Sequence, residues 1–346
     1  MFKTRTWKYR KFAAFTLGIW AVGLFFCTEA QAGPRYAIKF ATVAPEGSTW
    51  IKHMRALDRE IRSESGGKIG FRIYPGGIAG DELDVLRKMR IGQIHCAAFS
   101  GVGFGQILPE VRVLDLPYLF RNRAETDRVH RELRPFFTAE FKKKGFELLA
   151  WSEVGDVHLL SKRPIRRATD FSGLKIWTWS GDPIAKETFA AFGTTPIPLA
   201  LPDVTMALNT GMIDTVYAPP LGALALQWHA SLKYLMAMPL VHSTGAMLIS
   251  SRFFNKMPQA LSNLLKETVD RAMKDLKVEL RKQSGEAIRL IEQSGLTLVP
   301  VPTGEDLAEF YKIHDTVARN LTGKIYPKEL LERVYAILGR PGEAVK

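Results

Sequence analysis

Residues 90–98, RIGQIHCAA, contain the pattern that decides the fold: the end of a helix, a glycine and a short apolar strand. Residues 209–217, NTGMIDTVY, repeat this layout, with Gly211 in the place of Gly92. Glycine tolerates the left-handed backbone that ends a helix, so each glycine is expected to stop a helix before a strand. The repeat favours two similar α/β lobes over one large sheet.

Strand and helix patterns alternate around the first copy. Strands are predicted over residues 36–43, 68–74 and 94–99, with helices over about 48–65 and 80–92 between them. Strands that alternate with crossover helices imply an α/β fold whose sheet is mostly parallel.

A long helix is predicted near the C-terminus. Between Pro258 and Gly295 the chain has no proline and a single glycine, Gly285, while leucines and isoleucines recur at helical spacing. At 1.5 Å per residue such a helix extends about 55 Å, which is more than the width of one lobe, so it should run across both lobes. The expected domain organisation is lobe I at 33–156, with roughly 242–282 returning to it, and lobe II at 157–241, completed by roughly 283–346.

The N-terminus predicts export. Basic residues in the first 11 positions precede an uncharged apolar run at 12–26, and Ala30-Gln31-Ala32 offers small residues for cleavage after Ala32. The run is shorter than the about 20 residues of a membrane anchor, and bulky Phe26 argues against lipid attachment at Cys27. We therefore expect a signal peptide at 1–32 and a mature periplasmic protein.

Composition and motifs exclude several functions. The 346 residues carry 48 Lys and Arg against 35 Asp and Glu, but the basic residues are dispersed, which disfavours nucleic-acid binding. Cleavage leaves Cys96 as the one cysteine, so no disulfide can form within the chain. No histidine pair has metal-ligand spacing, and no phosphate loop or nucleophile elbow occurs. We expect no cofactor, no metal and no enzyme. The glycines of residues 101–105, GVGFG, are interpreted as a flexible pocket loop.

Several segments together resemble one family. FATVAP at 40–45, YPGG at 74–77, DLPYLF at 115–120, SKRPI at 161–165 and DFSGLKI at 170–176 are similar, in this order, to segments of DctP-like TRAP-transporter solute-binding proteins. The resemblance covers about residues 36–325. It implies a two-lobed periplasmic-binding-protein fold, type II-like, with a long helix spanning both lobes. It also implies closure on a small solute and delivery to the subunits of a sodium-driven TRAP membrane permease.

The chain departs from the family at three polar positions. The resemblance places carboxylate-binding arginines where this chain has Trp177 and Val157, and an asparagine where it has Ala218. Burying a carboxylate without a guanidinium partner incurs a large desolvation penalty. We therefore expect a solute that is not a simple dicarboxylate.

An aromatic cleft is predicted in place of the arginines. Strand alternation puts Trp177 and Trp179 on one face, and Phe99, Trp151 and Tyr217 are expected at strand ends, where α/β sheets bind ligands. With Glu46 in a nearby loop, they suit an apolar or aromatic solute oriented by the indole N–H groups and the Tyr217 hydroxyl.

Other interpretations stay open for these residues. The two tryptophans could fill the core of a site that has lost its anion. Glu46, Glu153 and Asp156 could bind a cationic or hydroxyl-bearing solute, or merely cap helices and face solvent. At the level of function, the alternatives to a solute carrier are a secreted α/β enzyme with unrecognised catalytic groups and a non-transporting partner protein.

Overall fold

The computed structural model describes residues 33–340, so the predicted signal peptide lies outside the described residues. The strands are β1 Tyr36–Ala41, β2 Ile69–Tyr74, β3 Cys96–Ser100, β4 Phe146–Ser161, β5 Trp177–Trp179, β6 Ile197–Leu199, β7 Thr215–Ala218, β8 Tyr234–Met236, β9 Val241–Ser250 and β10 Thr297–Val299.

The helices between the strands vary widely in length. They are α1 Thr49–Glu64, α2 Glu82–Arg90, α3 Gly101–Gly105, α4 Arg123–Lys143, α5 Pro183–Ala191, α6 Val204–Thr210, α7 Pro220–Ala225, α8 Ser251–Phe254, α9 Gln259–Gln293, α10 Gly304–Leu321 and α11 Lys328–Leu338. Short 3₁₀ segments occupy Pro109–Asp115, Ala168–Phe171, Leu201–Asp203 and Trp228–Ser231.

The two glycines of the repeat end their helices as predicted. Gly92 follows α2 with φ of +78° and Gly211 follows α6 with φ of +73°. The strands that follow, β3 and β7, each pair antiparallel with a long strand, β9 and β4 respectively. The repeat therefore marks equivalent units in the two lobes.

Two strands, β4 and β9, carry the chain from one lobe into the other, and we call them the crossing strands. The first part of β4 pairs antiparallel with β9 over Phe146–Val157, and its end, from His158 to Ser161, pairs with β7 and β8 instead. Lobe I is built around β2, β1, β3, β9 and the first part of β4, and lobe II around the end of β4 with β7, β8 and β10. The two-stranded pair β5 and β6 joins lobe II through a bridge from Ile176 to Thr215.

The sheet is mixed, which differs from the mostly parallel expectation. The pairs β1–β2, β1–β3 and β8–β10 are parallel, whereas every pairing of β4 and β9 is antiparallel. β9 runs antiparallel to β3 in lobe I, and the end of β4 runs antiparallel to β7 and β8 in lobe II. The spacing of apolar residues along the chain does not reveal the direction of a strand.

The long helix α9 spans both lobes, as predicted. Leu265, Val269 and Met273 in its first half pack against the sheet of lobe I, and Ile291 near its end belongs to the core of lobe II. The C-terminal helix α11 differs from the expectation that residues 283–346 complete lobe II. Its Leu331 and Val334 join the core that α4 forms in lobe I, because the apolar stripe of α11 faces that helix.

Candidate functional site: a cavity between the lobes

A cavity of about 580 Å³ lies between the two lobes. Lobe I contributes the turn after β1, the end of β3, α3 and the 3₁₀ segment Pro109–Asp115. Lobe II contributes β5, the start of α5, the end of β7 and α7. The middle of β4 also lines the cavity, through Ser152 and Val157. The cavity therefore sits where both crossing strands pass, so relative motion of the lobes would change its size.

Aromatic rings form the lobe II wall. The ring of Trp177 stacks on Tyr217 at 5.2 Å between centroids, and it meets Trp228 edge-on at 5.4 Å. Trp179 lies 6.0 Å from Trp177 on the same strand face. Trp177 is 2% exposed and Trp228 is 1% exposed. These rings are part of the core of lobe II and of the cavity wall at the same time.

The polar atoms of these rings are already bonded within the protein. The indole N–H groups of Trp177, Trp179 and Trp228 donate to Leu199 O, Asp81 Oδ2 and Thr205 Oγ1. The Tyr217 hydroxyl donates to Asp182 Oδ2 at 3.3 Å. We expected these groups to orient a solute. The structure instead satisfies them internally, so what the indoles offer the cavity is carbon surface.

A buried carboxylate holds α3 beneath the cavity. Glu82 Oε1 accepts the backbone N–H of Ser100, and Glu82 Oε2 accepts the Ser100 hydroxyl and the Gly103 N–H. A Cβ atom at Gly103 would stand 2.6 Å from Glu82 Oε2, and one at Gly101 would overlap the Asp115 carboxylate. The glycines at 101–105 are therefore not a flexible loop: they form a buried helix because side chains there would displace Glu82 and Asp115.

One guanidinium reaches the cavity from an unexpected place. Arg112, in the 3₁₀ segment of lobe I, is 4% exposed, and it is the one basic residue among the described residues that line the cavity. Its Nη2 lies 2.6 Å from Asp182 Oδ1 of lobe II, and its Nε lies 3.5 Å from Asp115 Oδ2. Asp182 also accepts the backbone N–H groups of Ile184 and Ala185 as the N-cap of α5. The guanidinium is thus already engaged by carboxylates of the protein itself.

Burial shifts the proton affinities of this polar cluster. It raises the pKa of Glu82 to about 7, although the Ser100 and Gly103 donors oppose the rise. It raises the pKa of Asp115 to about 6 against the charge of Arg112. Burial alone would lower the pKa of Arg112, but Asp182 and Asp115 outweigh it and the pKa lies above its ordinary value. Near neutral pH the Arg112 guanidinium therefore stands beside a largely ionised Asp115 and a partly protonated Glu82.

Five of the residues considered from sequence line the cavity: Phe99, Trp177, Trp179, Tyr217 and Glu153. Glu46 and Trp151 lie outside its lining. Glu46 is exposed and pairs with Arg55 at 2.8 Å. Trp151 stacks on His130 at 5.3 Å, and it stands in mid-strand rather than at a strand end because β4 continues into lobe II.

Sequence reasoning did not find Arg112, Asp182, Glu82 or Trp228. Arg112 and Asp182 are 70 positions apart, and no local pattern links them. The one sequence signal for Glu82 was the set of glycines at 101, 103 and 105, because a side chain at Gly103 would occupy the space that the Glu82 carboxylate fills. Val157 and Ala218, where the resemblance leads us to expect polar residues, do line the cavity.

A second ion network lies at the crossing strands, and its member Glu153 also lines the cavity. Arg281 of α9 binds Glu153 and Asp127, and His242 of β9 bonds to Glu153 and Asp156. Burial opposes protonation of His242, but the two carboxylates outweigh it and raise its pKa to about 9. Glu153 and Asp156, which we considered as solute ligands, are thus held by cations of the protein.

Within residues 33–340, no grouping of three or more histidine, cysteine or acidic side chains suits a metal ion. Cys96 is buried, and burial raises the pKa of its thiol well above the ordinary value, so it is unreactive. None of the described helices combines the length and apolar character needed to span a bilayer.

Residues 40–324 match the family of bacterial extracellular solute-binding proteins, family 7. The match covers most of the chain, and the chain belongs to this family. Its members are periplasmic substrate-binding components of transporters, not enzymes. The resemblance inferred from the sequence is thereby confirmed.

Two distant relatives match over nearly their full length. The C4-dicarboxylate-binding periplasmic protein DctP of Rhodobacter capsulatus is 21% identical over 318 residues, which cover 90% of this chain and 95% of that protein. A TRAP periplasmic solute-binding protein from Desulfovibrio salexigens, with bound orotic acid, has a TM-score of 0.83 at 18% identity and covers 88% of this chain and 99% of its own.

A further TRAP periplasmic solute-binding protein, from Pseudomonas putida F1 with bound D-glucuronate, has a TM-score of 0.80 at 23% identity. The superposition covers 87% of this chain and 97% of that one. These two structures confirm the two-lobed α/β fold.

Proposed function

We propose that this protein is the periplasmic receptor of a TRAP-type transporter, and that it captures a small organic solute in the cavity between its lobes. Phe99, Trp177, Trp179 and Tyr217 are the proposed contacts for the body of the solute. The observation that carries this proposal is the tryptophan-walled cavity at the junction of two lobes that share crossing strands. Differential contacts with the two lobes would favour the closed arrangement when a solute is present.

The size and lining of the cavity support a small solute with an apolar body. A volume of about 580 Å³ falls in the range of small-molecule sites. The three indoles present carbon surface, and Val157 and Ala218 add more. The relatives named above bind C4-dicarboxylates, orotic acid and D-glucuronate. An organic solute of similar size, with more apolar surface than these acids, is the best match to this lining.

Export and delivery complete the proposal. Cleavage after Ala32 would release residues 33–346 into the periplasm, where the closed protein would hand its solute to the TRAP permease subunits in the membrane. Mass spectrometry of protein secreted from its own signal gives the mature N-terminus. A first residue other than Gly33 would move the cleavage site.

Solute capture is tested by thermal denaturation of the mature protein against a library of small organic solutes. A carrier gains stability through mass action, by about 2.7 kcal/mol when solute is present at 100 times its Kd. The proposal expects stabilisation by one chemical class, with the solute recovered unchanged. Stabilisation by no class, or conversion of the solute to product, would contradict it.

A further inference from the structure

The ion pair between Arg112 and Asp182 crosses from one lobe to the other. Arg112 belongs to the 3₁₀ segment that packs in lobe I, whereas Asp182 caps α5 of lobe II. The two side chains are 5% and 6% exposed and join at 2.6 Å. An ion pair so short and so deeply buried can form only while the lobes are closed.

The turn that carries Asp182 is docked on lobe I at two further points. The Trp179 indole donates to Asp81 Oδ2 at 2.7 Å, and the Gln106 amide donates to the carbonyl of Gly181 at 3.3 Å. Residues 179–182 thus form a short clasp, and Asp182 is its charged tip. Because the N-cap bonds to Ile184 and Ala185 fix the carboxylate, it reaches Arg112 in a single orientation.

The electrostatics of the cavity floor disfavour a second anion. Arg112 faces Asp182, Asp115 and Glu82, so one positive charge meets an excess of acidic groups. A solute carboxylate could take the place of Asp182 at Nη2 of the guanidinium only by displacing it, which would leave the Asp182 carboxylate buried without a cation. No other basic side chain lines the cavity within the described part of the chain.

We propose that Asp182 is a built-in carboxylate that occupies Arg112 as the lobes close, so that the cavity selects solutes lacking a free carboxylate at that end. The inference rests on the proposed function, since it assigns the class of solute for the same cavity. Specificity then lies in the fit of an uncharged, largely apolar body against Trp177 and Trp179. Asp182 is a specificity-determining residue, because it excludes the anion that an exposed Arg112 would bind.

The test compares matched acids and amides on wild type and Asp182→Asn. Asparagine also caps helices well, so this variant keeps the start of α5 while removing the charge. The probes are benzoate against benzamide and orotate against its carboxamide, measured by calorimetric titration. The inference expects wild type to bind each amide at least tenfold more tightly than its acid, and D182N to bind the acids at least tenfold more tightly than wild type does.

Two variants separate the possible causes. Asp170→Asn removes a carboxylate that accepts the Arg166 N–H outside the cavity lining, and it should leave all affinities unchanged. Adding Arg112→Gln to D182N should abolish the gain for acids. Wild type that binds acids as tightly as amides, or D182N with no gain, overturns the inference and leaves solute capture standing. If no probe, and no solute from a wider library, binds either protein, the proposed function fails and the inference fails with it.

Discussion

Trp179 of lobe II donates its indole N–H to Asp81 of lobe I, and this 2.7 Å bond joins the two lobes. Trp228, which lines the same cavity, donates instead to Thr205 within lobe II. Two tryptophans of one wall therefore differ in whether their polar atom joins the lobes. This difference allows lobe closure to be tested separately from cavity shape.

Trp179→Phe should weaken closure, because the phenyl ring keeps apolar surface and loses the bond between the lobes. A hydrogen bond to a charged group contributes about 1.5–3 kcal/mol, so the open state should gain roughly tenfold or more in population. Small-angle scattering of solute-free protein should show a larger radius of gyration. Trp228→Phe is the control and should scatter like wild type. Equal scattering from wild type and both variants would show that the Trp179 bond does not hold the lobes.

Trp177→Phe should lower solute affinity by roughly tenfold, about 1.4 kcal/mol, because part of the ring that meets the solute and stacks on Tyr217 is removed. Trp151→Phe is the matched control. It alters a ring that packs on His130 outside the cavity lining, so it should lower the free energy of unfolding without changing affinity. Calorimetric titration and urea unfolding measure the two quantities. Equal losses of affinity in both variants would place Trp177 outside the binding surface.

Gly101→Ala should destabilise the fold, since its methyl group would overlap the Asp115 carboxylate. Overpacking of this kind costs about 1–3 kcal/mol. Gly285→Ala is the contrasting variant: it lies within α9 with open space around it, so it should gain about 0.5–1 kcal/mol from helix propensity. Urea unfolding of both variants is the measurement. A neutral Gly101→Ala would mean that the glycines do not make room for the buried acids.

Glu82 should make the protein less stable as pH rises from 5 to 8. Burial raises its pKa from 4.5 to about 7, so the folded protein keeps a proton that the unfolded chain releases. The stabilisation is fully present below pH 4.5 and is lost as pH rises through 7, by about 3 kcal/mol in all. Glu82→Gln lacks this titration, so the stability difference between wild type and E82Q should shift against wild type across that interval. Parallel pH profiles would contradict the raised pKa.

Features of the fold that local sequence patterns encode could be predicted, whereas features set by contacts between distant residues could not. Helix α9 was predictable because 35 consecutive residues repeat one apolar spacing. The roles of Gly92 and Gly211 were predictable because glycine adopts, with little strain, the left-handed backbone that follows those helices. The antiparallel direction of β4 and β9 was not predictable, because it depends on pairing with strands that are distant in the sequence.

The residues of the cavity likewise divide into those that local sequence patterns indicate and those that only the folded arrangement brings together. Strand alternation and strand ends are local properties, and they pointed to Trp177, Trp179 and Tyr217, which line the cavity; their contact with a solute stays a prediction. The Arg112–Asp182 pair was not found, because it forms only when two lobes meet. Trp151 was misplaced since the strand that carries it runs on into lobe II.

The most direct test of the central claim is the identity of what the cavity holds. Protein exported from its native signal is purified without added solute, denatured, and the released molecules are identified by mass spectrometry and titrated back onto emptied wild type and Trp177→Phe. The account predicts one small organic solute at near one per chain, which rebinds wild type and binds Trp177→Phe roughly tenfold more weakly. A solute that binds both proteins equally, or a protein that binds none of the released molecules, would contradict it.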